Sequence, residues 1–300
     1  MLVALTGASG FIGSFTARTL VSRGHKVRGL ARKSTRRESV AGVVEDWVIG
    51  DQADESAIAD LVRGVDVVIH NAADFEAARG SMEENLQRNI VGSLRLLDAA
   101  RRAGARQFIF VSSVAVHHEI LQDRKLDENH PTWPTSMYGA YKAAIEPFLK
   151  AYHHEHGINT SSWRPAAVYG IDPVLKRSQW YDLIDDARHG KTISTAKGGK
   201  ITRVQDVADA LALAVGDDST SGQFYNLVDC YMYWQQAAEF AREITGLDSE
   251  IENRKGAGPR NSFHTQKAID FFDRHGNTSA LRWGLHGVRQ YVAELLEAMR

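Results

Sequence analysis

MLVALTGASGFIGSFTARTL, Met1 to Leu20, reads as a short apolar strand, a glycine turn and a helix. Leu2 to Leu5 fit a strand buried on both faces. Gly7 permits a tight turn, Gly10 lets the backbone approach a pyrophosphate, and Gly13 lets the helix pack close to the strand. The first-turn amides, those of Phe11 and Ile12 among them, then face the phosphates together with the positive end of the helix dipole. A glycine pattern alone is weak. Set directly after a strand, directly before a helix and within the first fifteen residues, it is a strong sign of a dinucleotide turn.

Strand and helix patterns alternate beyond this stretch, which predicts an α/β fold with a doubly wound parallel sheet. Further strands are expected at Lys26 to Ala31, Val43 to Ile49, Val65 to His70, Gln107 to Ser112 and Asn159 to Arg164. Helices are expected at Phe11 to Ser22, Glu55 to Val62, Met82 to Ala103 and Tyr138 to His154. After Pro165 the strand rhythm is lost over Ile171 to Lys200 and Tyr231 to Arg300, although Val207 to Val215 returns as a helix. The expected organisation is a Rossmann domain of residues 1–167 plus about 200–229, with a smaller substrate domain of about 168–199 plus 230–300 over the carboxyl ends of the strands. Arg254 to Asn261 reads as a loop.

A second constellation carries chemistry: Ser113, then Tyr138 in SMYGAYKAA, then Lys142. Residues four apart on a helix share a face, so Tyr138 and Lys142 can address one bound molecule. A phenol is a poor proton donor at neutral pH, and a nearby ammonium should lower its pKa and make Tyr138 a usable general acid/base. Ser113 would hold the oxygen that gains or loses the proton.

With these motifs in place, the chain resembles the extended short-chain dehydrogenase/reductase family, including its nucleotide-sugar epimerases and dihydroflavonol-reductase-like members. The resemblance rests on TGASGFIG from Thr6, GDQAD from Gly50, HNAAD from His70, RNIVGSLRLLDAA from Arg88, FIFVSSVAV from Phe108, YGAYKAAIE from Tyr138, WRPAAVYG from Trp163, RVQDVADA from Arg203 and YNLVD from Tyr225. NTSALRWG from Asn277 faintly echoes a late motif. The resemblance implies a nicotinamide cofactor and a catalytic set of Ser113, Tyr138 and Lys142, but no particular substrate. By family position Asp51 would meet the adenine, Ala72 and Ala73 would line the dinucleotide, and Tyr138 and Lys142 would reach the nicotinamide ribose. Where NAD-preferring relatives carry an acid at the end of the second strand, this chain has Ala31, followed by Arg32 and Lys33. Two unneutralised positive charges there favour the 2′-phosphate of NADP, with Arg32 its holder. Lys33, Arg36 and Arg37 read instead as a solvated basic turn.

Departures from the family narrow the chemistry. Val114 and Ala115 follow Ser113 where dehydratases carry an Asp-Glu pair, which argues against dehydration. Ala167 stands where sugar-nucleotide enzymes commonly place an asparagine on the diphosphate. Arg177, Arg203, Arg254, Lys255 and Arg260 could still bind a phosphate. The expectation is therefore an NADP-dependent oxidoreductase acting on a carbonyl or secondary alcohol. A nucleotide-sugar epimerase is the second reading, and a non-catalytic NADP sensor the third, disfavoured by the presence of Tyr138 and Lys142.

Composition agrees. The apolar fraction of 43% suits a globular core, and a net charge of −1 offers no electrostatic reason for nucleic acid or an acidic membrane as partner. Cys230 is the one cysteine, so an internal disulfide is impossible. No leader pattern precedes the first strand, and no apolar run approaches the roughly 20 residues that span a bilayer. A cytoplasmic protein acting on a small molecule is expected, and the helices Met82 to Ala103 and Tyr138 to His154 are those through which relatives form homodimers. No metal site is expected, since His153, His154 and His156 lack the geometry and partners of a zinc site. His70 should face the sheet end without catalytic duty, and Asn89 is read equally as a family asparagine or a buried structural amide. Pro147 should kink the catalytic helix. Trp180, Tyr181, Tyr231, Tyr233 and Trp234 read as core, part of it walling a pocket.

Overall fold

The computed structural model describes residues 1–248, 250–252, 256 and 261–300. Arg254, Lys255 and Arg260, and most of the loop read over Arg254–Asn261, lie outside the described residues. The chain divides into two compact units, residues 1–164 with 207–226 and residues 165–206 with 227–300. Residues 165–167, 200–206 and 227–229, expected with the Rossmann domain, thus group with the second unit. The reason is a small separate sheet that recruits them.

In chain order the first elements are β1 (Leu2–Thr6), α1 (Phe11–Ser22), β2 (Lys26–Ala31), β3 (Asp46–Ile49), α2 (Glu55–Val62), β4 (Val67–His70), α3 (Phe75–Arg79), α4 (Met82–Asn85), α5 (Gly92–Arg102), β5 (Gln107–Val111) and α6 (Met137–His156). They continue with β6 (Asn159–Pro165), β7 (Ala167–Tyr169), α7 (Tyr181–Arg188), β8 (Ile193–Ser194), β9 (Gly198–Arg203), α8 (Val204–Ala214), β10 (Gln223–Leu227), β11 (Cys230–Tyr233), α9 (Gln235–Thr245), β12 (Ile251–Glu252), α10 (Gln266–Arg274) and α11 (Gly284–Ala298).

The first unit is built on a seven-stranded sheet in the order β10-β6-β5-β4-β1-β2-β3. The pairs from β6 through to β3 are parallel, with Val3 opposite Val27 on one side and Val67 on the other. Such a sheet is covered on both faces, and β4 and β5 are buried along their whole length. The winding reverses between β1 and β4, and in this class of sheet ligands bind at the carboxyl ends beside that point. Leu96, Leu97 and Ala100 of α5, Tyr141, Ile145 and Leu149 of α6, and Phe108 and Phe110 of β5 share one core cluster. Burial of each large member contributes roughly 1.5–3 kcal/mol, which fixes α6 against β5.

One expected helix proves composite. Met82 to Ala103 is a four-residue α-helix, a π-helical stretch from Leu86 to Val91, and then α5. In that wide turn the carbonyl of Arg88 accepts from Gln52 Nε2 at 2.8 Å, and the carbonyl of Asn89 accepts from the Ser93 hydroxyl. Side-chain donors thus take up carbonyls that a π-turn leaves displaced, and such bulges recur at functional sites. Helix α6 begins under a Ser136 cap, runs through Pro147 as one helix of 20 residues, and stops at Gly157, whose φ is +69°. Pro147 removes one backbone bond without ending the helix.

The second unit corrects the expectation that strand rhythm is lost over Ile171 to Lys200 and Tyr231 to Arg300. Strands β11, β9 and β7 form a three-stranded sheet, with β11 antiparallel and β7 parallel to β9, and β12 pairs with β8. These strands are two to six residues long, too short for alternation to be visible. Around them Tyr169, Trp180, Ile184, Met232, Val288 and Tyr291 form a separate core. The NTSALRWG segment is tied down by two carboxylates: Asp206 accepts from the Leu281 amide at 2.9 Å, and Asp229 from the Gly284 amide at 2.9 Å. Arg203 lies 4.4 Å over the Trp283 ring, so this arginine is engaged locally. Among the described residues, no helix is long and apolar enough to cross a membrane.

Candidate active site

Thr6, the last residue of β1, organises the sheet end. Its hydroxyl oxygen accepts from the amides of Asn71 at 3.1 Å and Ala72 at 3.0 Å, so its own proton points to His70 Nδ1, 2.8 Å away. His70 then donates from Nε2 to Ser93 Oγ at 2.7 Å, and Ser93 donates to the Asn89 carbonyl. Burial first, and nearby Lys142 second, push the His70 pKa down to about 3. His70 is a neutral strut between the glycine turn and the π-helical segment, with both ring nitrogens engaged.

The glycine turn fits a dinucleotide. Gly7 has φ +69°, and a side chain there would sit 3.2 Å from the Ala72 backbone. A Cβ on Gly13 would fall 2.0 Å from the Gly7 carbonyl oxygen, so only glycine lets α1 seat against the turn. Gly10 caps α1 in extended conformation with no side-chain hydrogen bond, which leaves the start of the helix, Phe11 and Ile12, uncovered by any capping side chain. Ala72 and Ala73 are half-buried beside this turn, and Ala73 packs on the core cluster. Asp51 Oδ1 accepts from the Ala53 amide at 3.0 Å, so part of that carboxylate shapes its own turn.

Arg32, directly after β2, is largely exposed, and its Nη1 lies 3.9 Å from Asp74 Oδ2. The sequence reading of two unneutralised charges needs correction: a carboxylate from the far loop stands within ion-pair range. Arg88 Nη1 donates to the same oxygen at 3.2 Å. Burial raises the Asp74 pKa, but the Ala77 amide, Arg88 and Arg32 outweigh it and hold the carboxyl below its usual range. Arg37 lies 5.6 Å over Trp47, as a surface cation should. Asn89 proves to be a buried structural amide: it accepts from the Asp74 amide and donates to the Asp74 carbonyl, each at 2.9 Å.

Ser113 lies two residues beyond β5 and caps a short turn, accepting from the Ala115 amide at 3.1 Å. Its hydroxyl proton is therefore left for another acceptor. Burial pushes the Tyr138 phenol up, and the Ser113 side chain opposes this with a smaller effect. This corrects the expected ammonium-driven lowering. Lys142 is buried, its Nζ donates to the Val111 carbonyl at 2.6 Å, and it sits 5.9 Å from the centre of the Tyr138 ring. Burial brings the Lys142 pKa down to about 7, with Glu146 opposing. The helix start approaches the serine turn through Gly139, where a Cβ would lie 2.3 Å from the Ala115 carbonyl oxygen. Phe75 stacks on Tyr138 at 5.3 Å and 19°.

Two features escaped the sequence reading. Asp74 closes the HNAAD motif, which assigns it no role, and Phe75 carries no local motif of its own. Glu146, one helical turn past Lys142, pairs with Arg164 through bonds of 2.8 and 2.7 Å, both side chains fully enclosed. Ser162 donates to Glu146 Oε1 at 2.8 Å, and Arg164 Nη1 donates to His117 Nε2 at 3.1 Å. A charge at Glu146 on the apolar face of α6 and another at Arg164 within a buried strand were the available signal.

Comparison with known proteins agrees with this geometry. The profile of the "NAD dependent epimerase/dehydratase family" matches residues 3–227. A UDP-glucose 4-epimerase of Mycolicibacterium smegmatis is 31% identical over 241 residues, 76% of this chain and 77% of its own. The 4-hydroxy-2-methyl-3-oxo-4-farnesyl-3,4-dihydroquinoline-1-oxide ketoreductase of Stigmatella aurantiaca is 26% identical over 272 residues, 88% of this chain and 79% of its own. Among solved structures, the UDP-glucose 4-epimerase of Thermus thermophilus in complex with NAD superposes with a TM-score of 0.79 at 25% identity, covering 99% of this chain and 100% of that one. The chain belongs to the NAD dependent epimerase/dehydratase family, and is an enzyme of the extended short-chain dehydrogenase/reductase type.

Proposed function

We propose that the protein is an NADP-dependent oxidoreductase that acts on the carbonyl or secondary alcohol of a small organic or sugar-like substrate. The observation that carries this reading is the contact of Tyr138 with Ser113 above buried Lys142. The amides of Phe11 and Ile12 beside Gly7, Gly10 and Gly13 would seat the pyrophosphate, Arg32 the ribose phosphate and Asp51 the adenine. Ala72 and Ala73 would line the dinucleotide, and Tyr138 and Lys142 would hold the nicotinamide ribose. The bound nicotinamide supplies or accepts the hydride. Ser113, whose oxygen is already an acceptor, directs its proton to the substrate oxygen, and Tyr138 gives its phenolic proton to that oxygen as negative charge develops. Lys142 provides positive charge beneath the phenol. The first unit, residues 1–164 with 207–226, acts as the dinucleotide domain and the second unit as the substrate domain.

The test is a titration of cofactor into purified protein. NADPH is expected to bind more tightly than NADH, and Arg32→Ala to weaken NADPH selectively by about tenfold, the effect of one charge-assisted bond of about 1.4 kcal/mol. Equal or tighter binding of NADH by the wild type would overturn the NADP assignment.

A nucleotide-sugar epimerase is the second reading, favoured by the similarity to UDP-glucose 4-epimerases. Interconversion of sugar-nucleotide epimers without net cofactor turnover would establish it. We further propose a cytoplasmic homodimer. Met82, Leu86 and Phe148 expose apolar side chains on the segments concerned, and sedimentation at micromolar concentration should give twice the chain mass. A monomer there removes the dimer and leaves the fold untouched.

A further inference from the structure

Strands β2, β1 and β4 are neighbours in that order. Arg32 follows β2 directly and Asp74 stands four residues beyond β4, while the glycine turn leaves β1 between them. The two flanking strands are about 10 Å apart, twice the strand spacing. The Arg32–Asp74 pair at 3.9 Å therefore spans the exit of β1, where the turn amides form the anion seat.

The two partners differ in freedom. Asp74 is fixed by its main chain, held on both sides by the Asn89 amide, and by Oδ1, which accepts from the Ala77 amide at 3.0 Å. Its Oδ2 remains for Arg88 and Arg32. Arg32 is 59% exposed, against 13% for Asp74, and sits on a long stem at the edge of ion-pair range. A contact of that kind is worth little and is easily exchanged.

We infer that Asp74 is a specificity-determining residue for the cofactor, whose carboxylate competes with the 2′-phosphate of NADP for Arg32 and tempers selection against NAD. The inference rests on the assignment of Arg32 to the ribose phosphate. A 2′-phosphate must draw Arg32 away from Asp74 and then lies near a fixed carboxylate of like sign. A 2′-hydroxyl meets neither cost. Arg88 stays paired with Asp74 and reduces the repulsion without abolishing it.

Asp74→Asn tests this, because asparagine caps a helix as well as aspartate does and leaves the main-chain bonds to Asn89 in place. Dissociation constants are measured by calorimetry for NADPH, NADH, 2′,5′-ADP and 5′-AMP. NADPH and 2′,5′-ADP should tighten by roughly threefold to tenfold, while NADH and 5′-AMP stay within about twofold. The gain should be at least halved in an Arg32→Ala background, since the competition is for that guanidinium. Asp74→Ser, neutral and also a capping residue, must give the same selectivity and serves if Asp74→Asn folds poorly. Equal changes for phosphorylated and unphosphorylated ligands, or no change at all, would overturn the role of Asp74. The wild-type ratio of NADPH to NADH affinity tests the NADP assignment separately, and the change in that ratio tests Asp74 whichever cofactor the wild type prefers.

Discussion

Tyr138→Phe is expected to lower turnover by at least about a hundredfold on any substrate found, the scale of losing a general acid/base, while fold and NADPH binding persist. Phenylalanine keeps the ring that stacks on Phe75 at 5.3 Å and removes the oxygen that meets Ser113. Ser113→Ala should also reduce turnover with little effect on the cofactor, because Ser113 is proposed to address the substrate oxygen. Lys142→Met should damage both turnover and cofactor binding. It removes a buried cation whose Nζ bonds to the Val111 carbonyl and which is proposed to reach the ribose. Steady-state kinetics alongside a cofactor titration separates these outcomes. Wild-type turnover by Tyr138→Phe would mean that the proton comes from elsewhere.

Acid should destabilise the fold well before the carboxylates titrate. His70 and His117 are buried, and both pKa values fall from 6.5 to about 3. For His70 the causes are burial and then Lys142; for His117 they are burial and then Arg164, which donates to its Nε2. In the unfolded chain both rings take a proton as pH drops through 6.5, whereas in the folded chain they do not until near 3. The unfolded state therefore binds more protons throughout that window, and stability falls as pH falls across it. Above 6.5 neither ring contributes a slope. At 1.36 kcal/mol per pKa unit the full loss approaches about 5 kcal/mol per ring, comparable with the whole stability of an ordinary domain. Urea denaturation between about pH 6.5 and 4.5, largely below the range over which Lys142 titrates, should show the decline, and His70→Asn should flatten part of it. A profile level across that range would show that these rings are not held neutral.

The fold was legible because its main signals are local. The β1 strand, the glycine turn and α1 occupy consecutive residues, and the boundaries of α1, β2 and α2 agree with the apolar periodicity. Tyr138 and Lys142 are one helical turn apart, so their shared face follows from helix geometry alone. The six-residue π-helical stretch was hidden, since the groups that bond to it, Gln52 and Asp74, lie well outside the segment. The short strands of the second unit were hidden for another reason: two to six residues carry too few alternations to stand out.

The chain's sequence by itself determined the parallel sheet, the dinucleotide turn and the shared helix face of Tyr138 and Lys142, because backbone sterics and side-chain periodicity act between near neighbours. Tertiary structure alone decided the electrical state of the site. It raised the phenol of Tyr138 by burial, brought Lys142 down to about 7, and joined Glu146 to Arg164. It also set Asp74 beside Arg32, across forty-two residues of chain. Charge strength depends on distance and on exclusion of water, and both are properties of the packed molecule.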